Sequence, residues 1–332
     1  MRRSPEFDLI SRARELFRAT TEDCGRVLLG AGDDAALTLP GAATATSVDA
    51  IVEGVHFRSS WCPPRAVGRK AIAAALSDLA AMGAEPGEAY VWLGAPQELS
   101  DEDCLELCAG IAEVAVEHEV AVVGGDLTAA PVLAVSITVV GHGDRDGFVR
   151  RDGASAAEVV CVSGALGGAA AALVALESAG LEIDLGEERY RALINHQLAP
   201  TPRLAAGRLL AAAGVSAMID VSDGLGVDAE QLAAASGVGI EIDLARVPLS
   251  DGVAEIATAS GRDRIEFAAA GGDDLELLCV MPPGAVAAAS AALEELGLPL
   301  SEIGSTLAGQ GVKLRQAGGR PLPIRGHDHR SR

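Results

Sequence analysis

The chain has 332 residues, 49% of them hydrophobic but only 3% aromatic, and a formal net charge of −21. The length predicts two domains and the composition predicts aliphatic cores. The charge argues against a nucleic-acid partner, whose binding rests on cationic contacts. Lysine occurs only at Lys70 and Lys313, so any phosphate chemistry must lean on arginines and metal ions.

In chain order, Pro5 suits the first turn of a helix that Ser4 can cap, running to about Phe17. Gly30-Ala31-Gly32-Asp33-Asp34 follows as a glycine-rich acidic loop, and the β-branched run from Thr44 to Val52 predicts a strand with Asp49 inside it. Helical spacing covers Pro64 to Met82, with Asp78 in an alanine-rich setting that disfavours an unpartnered carboxylate. A strand over Glu88–Gly94, a helix over Asp101–His118 capped by Ser100, and a short strand Val120–Val123 leading into Gly124-Gly125-Asp126 come next. Val132–Gly141 alternates as a further strand.

The polar stretch Asp144–Gly153 marks a boundary, giving domains 1–145 and 146–332. The second half reads as a strand Val159–Val162, a glycine turn, and helices around 167–179, 186–197 and 202–213. A strand then ends in Asp220-Val221-Ser222-Asp223-Gly224, followed by a helix over Leu225–Ala235 and a strand over Gly239–Leu244. Gly271-Gly272-Asp273-Asp274 leads into a strand Leu275–Val280. A helix over Ala285–Leu296 and strands near 300–306 and 311–315 close the domain. No element is assigned to 245–266. The fold class is α/β (α+β).

The six cysteines contain no C-x-x-C pair, and Met1–Glu6 is not followed by an apolar segment, so the expectation is a reducing, cytoplasmic setting without a secretory signal. Val159–Leu176 is uncharged and long enough for a membrane span, but its glycines, Ser163 and alanines fit a strand, a turn and a helix. No membrane association is expected.

The recurrent feature is the acidic turn: Asp33/Asp34, Asp49, Asp78, Asp126, Asp220/Asp223 and Asp273/Asp274. Singly, each also fits a turn or a cap. Jointly, converging carboxylates repel one another unless cations sit among them, and hard oxygens suit Mg²⁺ with a nucleotide's phosphates. No Asp-x-Asp-x-Asp-Gly calcium loop and no Walker or protein-kinase motif is present. Arg150 or Arg151 then become candidates for phosphate contact. Val159–Leu173 also looks like a dinucleotide-binding unit, although its glycine spacing is not Gly-x-Gly-x-x-Gly.

These segments together resemble the thiamine-monophosphate kinase family, within the aminoimidazole-ribonucleotide-synthetase-like ATP-binding superfamily. The resemblance is carried by Gly32–Ala36, Ser47–Phe57, Arg69–Ala71, Leu76–Ala84, Gly124–Asp126, Ile219–Leu225 and Gly271–Asp274. It implies a two-domain PurM-like fold whose N-terminal mixed sheet pairs with a second copy in a barrel, making a homodimer. It implies transfer of the ATP γ-phosphoryl to thiamine monophosphate with several Mg²⁺ ions. Metal positions fall on Asp33, Asp34, Ser47, Val48 through its backbone, Asp49, Asp78, Asp126, Asp220 and Asp223, with Asp49, Asp78 and Asp223 central to catalysis. ATP contacts fall on Gly125, Asp126, Arg151 and Ser222, and substrate contacts on His56, Asp273 and Ile324. Selenophosphate synthetase, the hydrogenase-maturation protein and the purine-pathway synthetase are the alternatives within the superfamily. Leu127, Ala129, Leu275 and Ile324 depart from the family pattern, and Ile324 stands where an aromatic would lie against the substrate.

Overall fold

A computed structural model describes residues 5–21, 24–31, 35–178, 182–316 and 318–326. Its contacts divide the chain into two units. The first comprises the chain to Leu79 together with Ala84–Asp146, and the second comprises Ala80–Gly83 with Gly147 onward.

In the first unit, helix α1 (Pro5–Thr21) precedes a small hairpin, β1 (Val27–Leu29) and β2 (Leu37–Thr38). There follow β3 (Ala43–Val52), α2 (Pro64–Ala81), β4 (Glu85–Ala95), α3 (Asp101–Glu117), β5 (Ala121–Ala129) and β6 (Ala134–Gly143). The main sheet has the order β3-β6-β4-β5, antiparallel except for the β4/β5 pair. Direct pairing of Asp49 with Ile137, and of Ile137 with Val91, puts all three on one face. Ile137 and Val91 are buried there, as are Ala89 and Leu93. Asp78 of α2 bonds Ser47 on that same face, so the helix covers it. Helices α2 and α3 cross at Gly68 and Gly110. A Cβ added at either would lie 2.0 Å from a backbone oxygen of the other helix, so only glycine permits this approach. The opposite sheet face carries Val48, 63% exposed, and Trp92, 37% exposed.

Two expectations for this unit change. Helix α1 continues to Thr21, and the Thr20 hydroxyl donates to Phe17 O while accepting the Val122 amide. The segment Gly124-Gly125-Asp126 is strand, not a turn after one. A register shift between Ala89 and Tyr90 accommodates the glycines, and parallel pairing with β4 then carries β5 on to Ala129. A Cβ at Gly125 would meet Val91 O at 2.2 Å, so this close pairing needs glycine.

The second unit continues with β7 (Val159–Ser163), α4 (Gly168–Glu177), α5 (Glu187–Leu198), α6 (Leu204–Ala212), β8 (Ala217–Asp220), α7 (Leu225–Ser236) and β9 (Gly239–Asp243). Then come α8 (Val253–Ser260), α9 (Arg264–Ala270), β10 (Leu277–Met281), α10 (Val286–Glu294), β11 (Leu300–Leu307), β12 (Gly311–Arg315) and β13 (Pro321–Leu322). Its seven-stranded sheet has the order β13-β12-β9-β11-β7-β10-β8. One core packs α7 against the strands through Leu225, Ala229, Leu232, Ile219 and Ile240. Another joins α4, α5 and α8 through Ala171, Ala172, Leu193, Val253 and Ile256. Each fully buried Leu or Ile contributes about 1.5–3 kcal/mol.

Strand β7 pairs antiparallel with both β10 and β11, which removes the dinucleotide reading, since that unit needs parallel strands joined by a crossover helix. Helices α8 and α9 fall where the sequence reading assigned nothing. Both are short, and their packing against α4 and each other sustains them where local signals are weak. Strand β10 starts at Leu277 rather than Leu275, because Asp273 and Leu275 have φ of +64° and +52° and break the extended backbone. Among the described residues no helix is long and apolar enough to cross a membrane.

Candidate active site

In the first unit the acidic strand and the acidic helix meet. The Ser47 hydroxyl donates to Asp78 Oδ2 at 2.5 Å, and Asp49 lies two residues along the same face of β3. Asp49 Oδ1 accepts the Ala50 amide at 2.7 Å. His56 sits in the turn after β3, where Gly54 has φ +82°. Its Nδ1 accepts the Val52 amide at 3.0 Å, which puts the proton of the neutral ring on Nε2. Asp126 is not brought to this group. Its register with Trp92 puts it on the other face of the sheet, where its carboxylate accepts the Thr128 hydroxyl at 2.9 Å. Asp33 and Asp34 lie outside the described residues.

In the second unit the turn after β8 gathers Asp220, Ser222 and Asp223 beside Asp273. The Asp273 amide donates to Ser222 O at 2.9 Å, and the Leu275 amide to Val221 O at 3.0 Å. Gly272 makes this approach possible, since a Cβ there would lie 2.4 Å from Ser222 O. Residues 324–326 run over the first turn of α7. Ile324 packs against the core there, 3.1 Å from where a Cβ on Gly226 would be, and Gly326 closes on Asp223 O. Arg151 is set apart from Ser222: its guanidinium donates to Gln231 at 3.0 Å, well along α7.

Two residues that the sequence did not single out, Asp228 and Glu276, lie beside this arrangement, and Asp274, expected in the acidic turn, takes another role. Asp228, in the first turn of α7, accepts the amides of Ser222, Asp223 and Gly224 at 3.1 Å each. Burial, followed by the charges of Asp220 and Asp223, pushes its carboxyl up to about 8. Glu276 is buried, accepts the Ser163 hydroxyl at 2.5 Å and pairs with Arg203 at 2.5 Å. Asp274 turns away from the acidic turn and caps α4 by accepting the Gly167 and Ala169 amides at 2.7 and 3.2 Å. The one signal for Asp228 was its spacing, four residues after Gly224 at the start of a helix.

Among the described residues no group of three or more His, Cys, Asp or Glu stands ready to hold a metal ion. The donor chemistry still fits Mg²⁺, which takes one or two carboxylates with phosphates completing its shell. Ser47, Asp49 and Asp78 in one unit, and Asp220 and Asp223 in the other, are hard-oxygen donors of that kind.

Comparison with known proteins first defines the class. Residues 32–142 match the N-terminal domain of AIR synthase related proteins, and residues 158–316 match their C-terminal domain. The thiamine-monophosphate kinase of Rhodopirellula baltica is 35% identical over 90% of both chains. The crystal structure of thiamine-monophosphate kinase from Stenotrophomonas maltophilia superposes with a TM-score of 0.84, at 36% identity over 96% of this chain and 98% of that one. AaThiL, solved in complex with AMPPCP and TMP, matches over 99% of both chains at 30% identity and a TM-score of 0.76. The chain belongs to the thiamine-monophosphate kinase family.

Proposed function

We infer that this enzyme phosphorylates thiamine monophosphate to thiamine diphosphate with ATP as the phosphoryl donor. The observation that carries the reading is the full-length similarity to AaThiL, which was solved with AMPPCP and TMP. The relatives at this level of identity carry the kinase name, so the other superfamily activities are not favoured.

The proposed division of labour follows the two acidic clusters. Asp49, Asp78 and Asp223 hold Mg²⁺ for catalysis, with Asp33, Asp34, Ser47, the Val48 carbonyl and Asp220 completing the metal positions; Asp126, on the sheet face away from Asp49, is left out of this set. Several bound Mg²⁺ ions would supply the positive charge that phosphoryl transfer needs. The Ser47–Asp78 bond and the Ser222–Asp273 contact support the reading by fixing donors before any ligand arrives. Gly125, Arg151 and Ser222 contact ATP. His56, Asp273 and Ile324 contact thiamine monophosphate, whose phosphate is the acceptor. That phosphate has a second pKa of about 6, so at neutral pH it is already a dianion and no strong general base is required. In this reading the phosphoryl group passes directly from ATP to that phosphate, without a covalent phospho-enzyme.

Domains 1–145 and 146–332 follow from the polar stretch around 144–153. The enzyme works in the cytoplasm as a homodimer, and the exposed Val48 and Trp92 on the sheet face away from α2 support pairing through that face.

Purified protein given ATP, Mg²⁺ and thiamine monophosphate should form thiamine diphosphate, read by chromatography. Absence of product at saturating substrates would overturn the reading. With γ-labelled ATP alone, no label should stay on the protein.

A further inference from the structure

The Ser222–Gly224 turn owes its shape to a residue outside it. Asp228 is 1% exposed, and its Oδ2 accepts three consecutive amides, those of Ser222, Asp223 and Gly224, at 3.1 Å each. The Asp228 amide in turn donates to Gly224 O at 3.0 Å. The other edge of the turn is held by the Asp273 and Leu275 amides on Ser222 O and Val221 O. With amides directed one way and carbonyls the other, the peptide planes that carry Ser222 and Asp223 have one orientation. Gly224, at φ +110°, makes the exit into α7 that this geometry demands.

We propose that Asp228 is a positioning residue for metal-nucleotide binding: by gathering these three amides it holds Ser222 and Asp223, beside Asp220, in the arrangement that receives the cation and the nucleotide. The proposal rests on the kinase reading above and deepens it. Asp228 itself stays buried against the backbone and does not touch the reacting atoms. What it supplies is a fixed turn, and one carboxylate oxygen does so at three peptide units at once. A turn left to sample several conformations would bind with an affinity reduced by the fraction of time it spends in the competent one.

The test uses the full chain as wild type, Asp228→Asn and Asp228→Ala. Isothermal titration measures binding of Mg²⁺ with AMPPCP, steady-state kinetics follow both substrates, and amide exchange is measured on the wild type without nucleotide. The Asn carbonyl can accept the same amides, so Asp228→Asn should keep the dissociation constant within about threefold, while Asp228→Ala weakens it by about tenfold or more. The KM for thiamine monophosphate should rise less than the nucleotide dissociation constant in Asp228→Ala, because Asp273 meets the turn only through its own amide while Ser222 and Asp223 lose theirs.

Two binding results overturn the proposal: an unchanged dissociation constant in Asp228→Ala with only a lower unfolding temperature, or equal losses in the Asn and Ala variants. The wild-type amides of 222–224 should exchange slowly, and exchange at the rate of an exposed loop overturns the proposal even if no variant folds. Failure of the wild type to bind Mg²⁺ with AMPPCP would sink the kinase reading instead, and the exchange measurement would still decide whether Asp228 holds the turn.

Discussion

The Ser47 hydroxyl donates to Asp78 Oδ2 at 2.5 Å, joining a strand to a helix thirty-one residues on. Neither residue is explained by the packing of its own element. Serine in β3 gives up an apolar position on the covered face, and aspartate in α2 puts a carboxylate where the helix is otherwise alanine-rich. Each finds its partner in the other, and Asp49 stands two residues away on the same face.

Asp49→Asn and Asp78→Asn, made separately, should each lower kcat by about 100-fold or more, the usual effect of removing one group that stabilises transition-state charge. Both variants should unfold at nearly the wild-type temperature, since asparagine preserves shape and, at 78, the acceptor for Ser47. Near-normal kcat for both at saturating Mg²⁺ would remove this cluster from the active site.

Gly272→Ala tests the second cluster without touching an acidic residue. The added Cβ would lie 2.4 Å from Ser222 O, and both groups belong to tight backbone, so the turn must move. Overpacking of this kind costs about 1–3 kcal/mol. We expect the KM for ATP to rise at least tenfold while the protein stays folded. An unchanged KM for ATP would mean that Ser222 and its turn do not contact the nucleotide.

Arg203→Ala should destabilise the second unit by about 3 kcal/mol, the lower end for breaking a buried pair because Arg203 keeps some exposure. Glu276 would remain buried at 4% side-chain exposure with its cation gone. The double change Arg203→Ala with Glu276→Gln should recover part of that loss, since it also removes the uncompensated charge. Additive losses in urea unfolding would contradict the coupling.

His196 sets a pH dependence of defined sign. Burial, then the nearby Arg203, holds its pKa below the ordinary histidine value. In the unfolded chain the ring protonates near pH 6.5, so the folded state is favoured above that pH and loses this contribution as pH falls through it. The raised carboxyls of Asp228 and Asp274 contribute with the opposite sign, and they are common to wild type and variant. His196→Gln should therefore lose less stability than wild type between pH 7.5 and pH 5. Parallel urea midpoints for the two proteins over that range would refute it.

Much of this protein was legible in order along the chain. Helix α3 with its Ser100 cap, the Ala217–Gly224 strand and turn, and the acidic residues of both clusters are local statements, made by period, cap chemistry and the rarity of carboxylates in apolar runs. The family resemblance was equally local, residing in short segments such as Ser47–Phe57 and Leu76–Ala84. Tertiary structure decided what depends on partners distant in sequence. Gly124-Gly125-Asp126 reads as a turn until β4 pairs with it and draws it out as strand, carrying Asp126 to the face away from Asp49. Asp274 reads like its neighbour Asp273, yet it turns inward to cap α4, more than a hundred residues earlier. Asp228 looks like an ordinary first-turn acid, and only the folded turn presents three amides to it. A carboxylate's role depends on which donors surround it, and those donors are assembled by the fold.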